Sequence, residues 1–450
     1  MKTPENPRTK KPHPLGRGVV TVCIVGTGHI GLPTACVIAD AGLDVIAADI
    51  NRKIVDAVNQ GRSLVKENGL EPLLKKVVNE KKLRASTDVT TSVSKASVVL
   101  IIVPTPLQAD GPDISAIRSA GKAVARGLKK GDLVVLESTI YPEGTKKILK
   151  LILEEHSDLK AGTDFFLAYS PERALPTKSI SEIRDNVRIV GGIDPESGKK
   201  AVEFYSRFVT NRVVDVGDST TAEFIKISEN VYRDVNIALA NELALISANI
   251  GIDIKKVIKT ANLHPRVDIH EPGAGVGGHC IPKDPYFLIN KAKEKDLDLG
   301  LIGTARRINE KMPEYVVGMT EEALSNSKKS INGSKVTVLG YAYKGDTSDV
   351  RGTPSTVIAN ELKSLGAQVT IQDPYVKPGN GTAIEKDLIK SVTDSDCLII
   401  VTDHTDYRKI NIEEVSKRMR KPGIIIDGRN ILEPAKVRDS GLIYYGIGRQ

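Results

Sequence analysis

The stretch that most constrains this chain runs from Val19 to Asp49. VVTVCIVG is a continuous apolar run ending in glycine, the pattern of a strand buried on both faces of a parallel sheet. Gly26-x-Gly28-x-x-Gly31 follows, then an apolar helix to about Ala41, then a second strand, DVIAADI, ending near Asp49. Strand, glycine turn, helix, strand and terminal acid in that order make a dinucleotide fingerprint. The glycines allow a tight turn and close approach, and the helix end holds a pyrophosphate. Asp49 would accept hydrogen bonds from an adenosine ribose and repel a 2′-phosphate, which favours NAD over NADP. Ile30 and Arg52 flank these features and are assigned to the same cofactor site.

The alternation of strand and helix continues through ASVVLIIVPTP, GDLVVLEST, DFFLAYSPER and NVRIVGG. Three of these strands end in polar residues, Thr105, Thr139 and Glu172, at the carboxyl edge where ligands of open α/β sheets collect. Asp218, Ser219 and Thr220 then offer an N-cap to a long helix, on which Lys226 and Asn230 share a face that Arg233 and Asp234 continue. A second long helix is expected from about Asp298 to Leu324, and the polar segment 325–335 reads as a linker. The last third repeats the alternation in KVTVLGYAYKG, AQVTIQDPY, DCLIIVTDH and GIIIDGRN. The expected fold class is therefore α/β, with two doubly wound Rossmann-like domains joined by a central all-helical domain. Expected boundaries are a flexible tail at 1–18, a dinucleotide domain at 19–217, a helical domain at 218–325 and a second Rossmann-like domain at 326–450.

Between the two long helices lies PGAGVGGHCIPKDPY, residues 272–286, a glycine-rich loop built to touch a ligand. Cys280 stands one helical turn before Asp284, and Pro282 suggests that a helix starts at about this point. A thiol there would feel the positive helix end and Lys283, both of which favour thiolate. The expectation is a nucleophilic cysteine with an acid/base partner. Cys23, Cys36 and Cys397 lie instead in apolar stretches and read as small buried hydrophobes. In the last domain Tyr343 could stack on a base, Lys344 could meet phosphate, and Arg429 ends another strand at the same edge.

Composition narrows the function classes. The net charge of +8 is spread among acidic residues, Trp is absent and aromatics are 4%, which leaves little for base stacking and argues against nucleic acid. No apolar run approaches the roughly 18 residues of a membrane helix, so no membrane insertion is expected. Four cysteines without paired spacing suit a reducing, cytoplasmic compartment, and no histidine has metal-ligand spacing.

VPTP, ESTIYPEGT, SPER, KISEN, GVGGHCIPKD, GYAYKGDTSDVR and DGRN occur in this order, and over residues 19–445 the chain resembles the UDP-glucose/GDP-mannose dehydrogenase family. The resemblance implies an NAD domain, a helical domain that makes a homodimer (a tetramer being the larger alternative), and a C-terminal nucleotide domain. SPER in place of SPEFLRE, with GVGGHCIPKDPYF, looks like the branch acting on nucleotide N-acetylhexosamines; the second glutamate of the longer motif is replaced by Pro176. The implied reaction is four-electron oxidation of a sugar primary alcohol to a carboxylate, with UDP-N-acetylmannosamine favoured and UDP-N-acetylglucosamine, UDP-glucose or GDP-mannose as alternatives. Cys280 would carry a thiohemiacetal and then a thioester, Lys226 and Asn230 would stabilise the oxyanion, and Asp284, Thr139 or Glu172 would position the hydrolytic water. Asp284, Lys226 or an ordered water would take the hydroxyl proton. Around the UDP-sugar the resemblance puts Arg173, Ala174, Lys226, Asn230, Arg233, His264, Arg266, Gly277, Tyr343, Lys344 and Arg429. The residue matching Arg266 reaches across the family's dimer, and Arg351 serves the cofactor or a domain interface. The rival readings are a single-hydride hydroxy-acid dehydrogenase, a non-catalytic NAD sensor and a nucleic-acid binder.

Overall fold

The computed structural model describes residues 20–108, 111–175, 178–379 and 382–449. The tail read over 1–18 and the replacement at Pro176 lie outside the described residues. The chain divides into two compact units, one ending at Ser228 and the other starting at Glu229.

The first unit is built on eight short strands: β1 (Thr21–Val25), β2 (Asp44–Ala48), β3 (Leu83–Ser86), β4 (Val98–Ile101), β5 (Leu133–Leu136), β6 (Phe166–Tyr169), β7 (Arg188–Gly192) and β8 (Val213–Asp215). They form one sheet in the order β8-β7-β6-β5-β4-β1-β2-β3, parallel throughout except for the β6–β7 pair. Val22 stands opposite Val45 on one side and Val98 on the other. The central strands VVLI and LVVL are buried along their whole length, as strands covered by helices on both faces must be. Helix α1 (Gly31–Asp40) follows β1. The chain turns one way from β1 to β2 and later the other way to β4, so the carboxyl ends of β1 and β4 bound the topological switch point.

Helix α2 (Ser219–Ile250) starts in the first unit and runs on into the second for a total of 32 residues. Asp218 caps it, accepting from the backbone N–H of Thr220 at 2.9 Å and Thr221 at 3.2 Å. In the second unit α3 (Asp284–Lys293) and α4 (Gly300–Asn326) follow, with Pro313 inside α4. Five parallel strands then complete the chain: β9 (Lys335–Leu339), β10 (Gln368–Gln372), β11 (Cys397–Ile400), β12 (Gly423–Asp427) and β13 (Leu442–Gly446). Their order is β10-β9-β11-β12-β13, again doubly wound, and α5 (Pro354–Ser364) packs against β10. Ala240 and Ala244 of α2, Met312 and Val316 of α4, and Val336, Val338 and Ile399 of the sheet share one core. Two doubly wound sheets separated by a helical segment is the architecture expected from the sequence.

Candidate active site

In the first unit the glycine turn has the shape that a dinucleotide needs. Gly26 has φ +94°, and a Cβ there would lie 2.3 Å from the Ile102 carbonyl oxygen; a Cβ on Gly31 would lie 1.9 Å from the Gly26 carbonyl oxygen. Only hydrogen fits at either place, so α1 sits close against β1. A Cβ on Gly28 would meet nothing within 4 Å, which leaves open space over the turn. Ile30 is the N-cap of α1 and supplies no side-chain cap, so the helix N-terminus keeps its donor character for a phosphate. Asp49 accepts from Thr27 N–H at 2.8 Å and Thr27 Oγ1 at 3.0 Å through one oxygen, and from Asn51 N–H at 2.8 Å through the other. These bonds orient its half-exposed carboxylate at the end of β2. Arg52 is exposed, 3.9 Å from Asp56. The residues present fit NAD.

Further along the same edge, Thr105 is buried and Thr139 half-buried. Between them Ser138 Oγ accepts from Val103 N–H at 2.8 Å and donates to the Val103 carbonyl at 2.9 Å, so the ends of β4 and β5 are tied together. Glu172 is held on both oxygens: Oε2 pairs with Arg188 at 3.0 Å and Oε1 accepts from Ala174 N–H at 2.5 Å. Arg173 donates to the Val187 carbonyl. Lys226, on the first turns of α2, is buried.

The cysteine loop lies wholly in the second unit. Cys280 is partly exposed, whereas Cys23, Cys36 and Cys397 are buried; burial pushes the first two thiols up to about 12 and Cys397 higher still. The Cys280 carbonyl accepts from Asp284 N–H at 2.8 Å and Lys283 N–H at 3.1 Å, so the loop closes as a turn directly into α3. The helix starts at Asp284 with Pro285 in its first turn, rather than near Pro282, because this turn consumes residues 280–284. Asp284 is fully buried. Its Oδ2 accepts from Asn230 Nδ2 at 2.5 Å, while Oδ1 lies 3.5 Å from Lys283 Nζ and takes no hydrogen bond among the described residues. Asn230 Oδ1 in turn accepts from Arg233 at 2.6 Å. Asp234, read from spacing as part of this stripe, is buried and pairs with the buried Arg306 at 2.9 Å.

The loop is braced from the sheet of its own unit. Gly278 has φ +90°, and a Cβ there would reach 2.7 Å from Tyr343 Cε2, so the Tyr343 ring lies against the loop rather than standing clear of it. Burial, then the Asp349 carboxylate and the Cys280 sulfur, pushes the Tyr343 hydroxyl up to about 12. Gly278 N–H donates to the Arg351 carbonyl at 2.9 Å and Ala274 N–H to Gly428 at 3.0 Å, while the Arg351 side chain pairs with Asp349. Arg429 donates to the Val401 carbonyl at 2.7 Å and lies against Gly273. Gly277, Tyr343, Arg351 and Arg429 thus gather around the cysteine loop. Lys344 is exposed beside them in sequence. His264 and Arg266 are exposed and 3.4 Å apart.

Three family models describe consecutive parts of the chain: the NAD binding domain of the UDP-glucose/GDP-mannose dehydrogenase family over residues 20–209, the central domain over 220–311 and the UDP binding domain over 337–434. The chain belongs to the UDP-glucose/GDP-mannose dehydrogenase family. It is accordingly an NAD-dependent nucleotide-sugar dehydrogenase. It is 41% identical over 428 residues to the UDP-N-acetyl-D-mannosamine dehydrogenase of Pyrococcus horikoshii, covering 95% of this chain and 99% of that one. The solved structure of the P. horikoshii enzyme matches with a TM-score of 0.89, at 40% identity over 96% of this chain and 99% of that one. An NDP-N-acetyl-D-galactosaminuronic acid dehydrogenase from Methanosarcina mazei Go1 matches with a TM-score of 0.86, at 36% identity over 96% of each chain. No helix among the described residues is long and apolar enough to cross a membrane.

For a member of this family, the sequence reading passed over the charged groups that hold the site residues. Glu137, Arg188 and Tyr205 surround Glu172; Glu223 accepts from Glu143 and Thr145 N–H, both at 2.7 Å, on the loop after Thr139; Arg306, Asn309 and Asn241 link α2 and α4 to Gly273. One signal was available: Arg188 interrupts an apolar strand, and a cation buried in a sheet needs an anion beside it.

Proposed function

We propose that the chain oxidises the primary alcohol at carbon 6 of UDP-N-acetyl-D-mannosamine to the carboxylate, retaining the sugar on Cys280 between two oxidations. Bound NAD supplies the hydride acceptor, one molecule for each oxidation. The observation that carries the reading is the turn from Cys280 to Asp284, where a partly exposed thiol meets the start of α3 beside a buried carboxylate, one oxygen of which faces Lys283 and takes no hydrogen bond among the described residues. The helix end and Lys283 favour thiolate. Asp284, anchored through Oδ2 by Asn230, keeps Oδ1 to take the hydroxyl proton directly or through water. Attack of the Cys280 thiolate on the aldehyde gives a thiohemiacetal. Asn230 Nδ2 donates one N–H to Asp284 and has a second N–H for the developing oxyanion, with Lys226 adding charge. Oxidation to the thioester is followed by hydrolysis, with the water oriented by Glu172 or Thr139. Lys344, Arg429, Arg173 and Arg233 are assigned to the UDP-sugar, and Gly26, Gly28, Gly31 and Asp49 to NAD.

The N-acetylmannosamine substrate is supported by the name of the P. horikoshii relative; the M. mazei neighbour makes an N-acetylgalactosamine nucleotide the second reading. We read the chain as dinucleotide, helical and nucleotide domains at 19–217, 218–325 and 326–450, working in the cytoplasm as a homodimer. Tyr232, Leu239, Ile246 and Ile250 of α2 are exposed at spacings of whole helical turns, which suits a helix-to-helix contact with a second copy.

The deciding experiment counts NADH per sugar consumed with the UDP derivatives of N-acetylmannosamine, N-acetylglucosamine, N-acetylgalactosamine and glucose. Two NADH with the first, and loss of turnover with retained NAD binding in Cys280→Ser, are expected. One NADH per sugar would return Cys280 to a structural role.

A further inference from the structure

The mechanism above uses Glu172 but not the buried ionic cluster beneath it. Arg188, the first residue of β7, directs its guanidinium at three acceptors on two segments, those that follow β5 and β6. Nε donates to Ser170 Oγ at 2.8 Å, Nη1 meets Glu172 Oε2 at 3.0 Å, and Nη2 lies 2.5 Å from Glu137 Oε1. Tyr205 closes the arrangement, donating its hydroxyl to the same Glu137 oxygen at 2.5 Å while its ring lies 4.6 Å from the guanidinium carbon. A planar fork tied at three edges has no rotation left, so the oxygen of Glu172 that it holds is fixed in direction. Ala174 N–H fixes the other.

This is more than a surface-type ion pair. Glu137 and Arg188 are almost fully buried, and a buried cation shared by two carboxylates is a costly arrangement to keep. Burial pushes the Glu137 carboxyl up, Arg188 opposes this, and neighbouring Glu172 adds to the rise. A simple structural role would be met by one carboxylate; the second, Glu172, is the one at the ligand-facing edge of the sheet.

We propose that Arg188 is a positioning residue for Glu172: set by Glu137, Ser170 and Tyr205, it fixes the orientation of the Glu172 carboxylate for the hydrolytic role assigned to it above. This rests on the thioester reading above. In that step the water oxygen bonds to the acyl carbon, a water proton passes to Glu172, the carbon–sulfur bond breaks and Cys280 leaves as thiolate; no electrons are exchanged with an oxidant. Positioning by Arg188 therefore bears on hydrolysis and not on either hydride transfer.

The test compares Arg188→Lys, which keeps the charge and loses the fork, with Tyr205→Phe and Glu172→Gln, following NADH release and the intact mass of the protein during turnover with NAD and the active UDP-sugar. Arg188→Lys and Glu172→Gln should give a burst of two NADH per site, then a steady rate reduced on the order of a hundredfold, with an acyl adduct on Cys280 and unchanged NAD affinity. Tyr205→Phe should do the same with a loss of roughly tenfold, and it decides the matter if Arg188→Lys does not fold. Arg188→Lys or Tyr205→Phe that slows all steps alike without an adduct, or slows none, overturns the proposal. If Glu172→Gln accumulates the adduct and Arg188→Lys does not, the proposal fails and the thioester reading stands. If no variant accumulates an adduct, the assignment of Glu172 fails and takes the proposal with it.

Discussion

The two doubly wound sheets begin in the same way and then part. Gly26 and Gly340 both have φ +94°. Each donates its N–H across to the neighbouring strand at 2.8 Å, to Ala48 and Gln372 respectively. Each is followed by an N–H that an acid accepts, Thr27 to Asp49 at 2.8 Å and Tyr341 to Asp373 at 2.7 Å. In the first sheet the helix starts at once, at Gly31, and its end is left for a phosphate. In the second it waits until Pro354, and the intervening GYAYKGDTSDVR folds over the sheet edge. The acids differ accordingly. Asp49 is half-exposed, while Asp373 is fully buried and accepts from Tyr341, Ala342, Tyr375, Val376 and His404. The same acid position stays half-exposed at the sheet edge in one domain and fastens a loop in the other; what decides is whether the segment after the glycine becomes helix or loop.

The sharpest way to break this comparison is to remove each acid. Asp373→Asn sets an amide among five donors and should lower stability by on the order of 3–5 kcal/mol in urea unfolding, whereas Asp49→Asn should leave stability nearly unchanged and weaken NAD binding. The pH response has a defined sign. Although burial opposes it, the bonds from His404 and the backbone hold the Asp373 carboxyl at about 2, below its ordinary 3.8. Its contribution is thus complete above pH 4 and lost as pH falls toward 2; a variant with the same acid slope as the parent would refute the fastening role. Glu223 in the first unit should behave in the opposite way. Burial pushes its carboxyl up to about 7 against the two N–H donors at Glu143 and Thr145. Its contribution is full below pH 4.5 and lost as pH rises through 7, a loss of at most about 3 kcal/mol that Glu223→Gln should abolish.

Much of this contrast was legible from residue order. Apolar strands, the glycine turn with Asp49, and the isolated setting of Cys280 follow from periodicity and local chemistry, because each involves residues close in sequence. What could not be read depends on which strands become neighbours. Arg188 meets Glu137 only because β5, β6 and β7 are adjacent, and Asp373 meets His404 only because β9 lies between β10 and β11. What covers Asp234 could not be read either, because helical spacing gives the angle between residues and not what lies against them; Arg306 of α4 supplies that.

Within the first turn, the two glycines after Gly26 make a smaller test. Gly31→Ala drives a methyl into the Gly26 carbonyl and should cost about 2 kcal/mol of stability as well as NAD affinity. Gly28→Ala points its methyl into open space, so stability should hold while NAD affinity falls by roughly tenfold. Equal loss of stability in both would mean that the space over Gly28 is not where the ligand approaches.

The smallest expected effect concerns how each domain is proposed to meet phosphate. The first offers backbone N–H groups at a helix end, a fixed partial charge. The second offers Lys344, an exposed full charge on a flexible stem. A full exposed charge is screened by salt more than a set of short hydrogen bonds, so raising ionic strength should increase the UDP-sugar KM more steeply than it weakens NAD binding. Lys344→Ala should then raise the UDP-sugar KM by about tenfold, worth ~1.4 kcal/mol, and flatten that salt dependence while leaving kcat and the NAD constant unchanged. A variant that keeps both the parent KM and its salt slope would remove Lys344 from the phosphate site and leave the second domain with backbone recognition alone, making the two domains more alike in chemistry than their loops suggest.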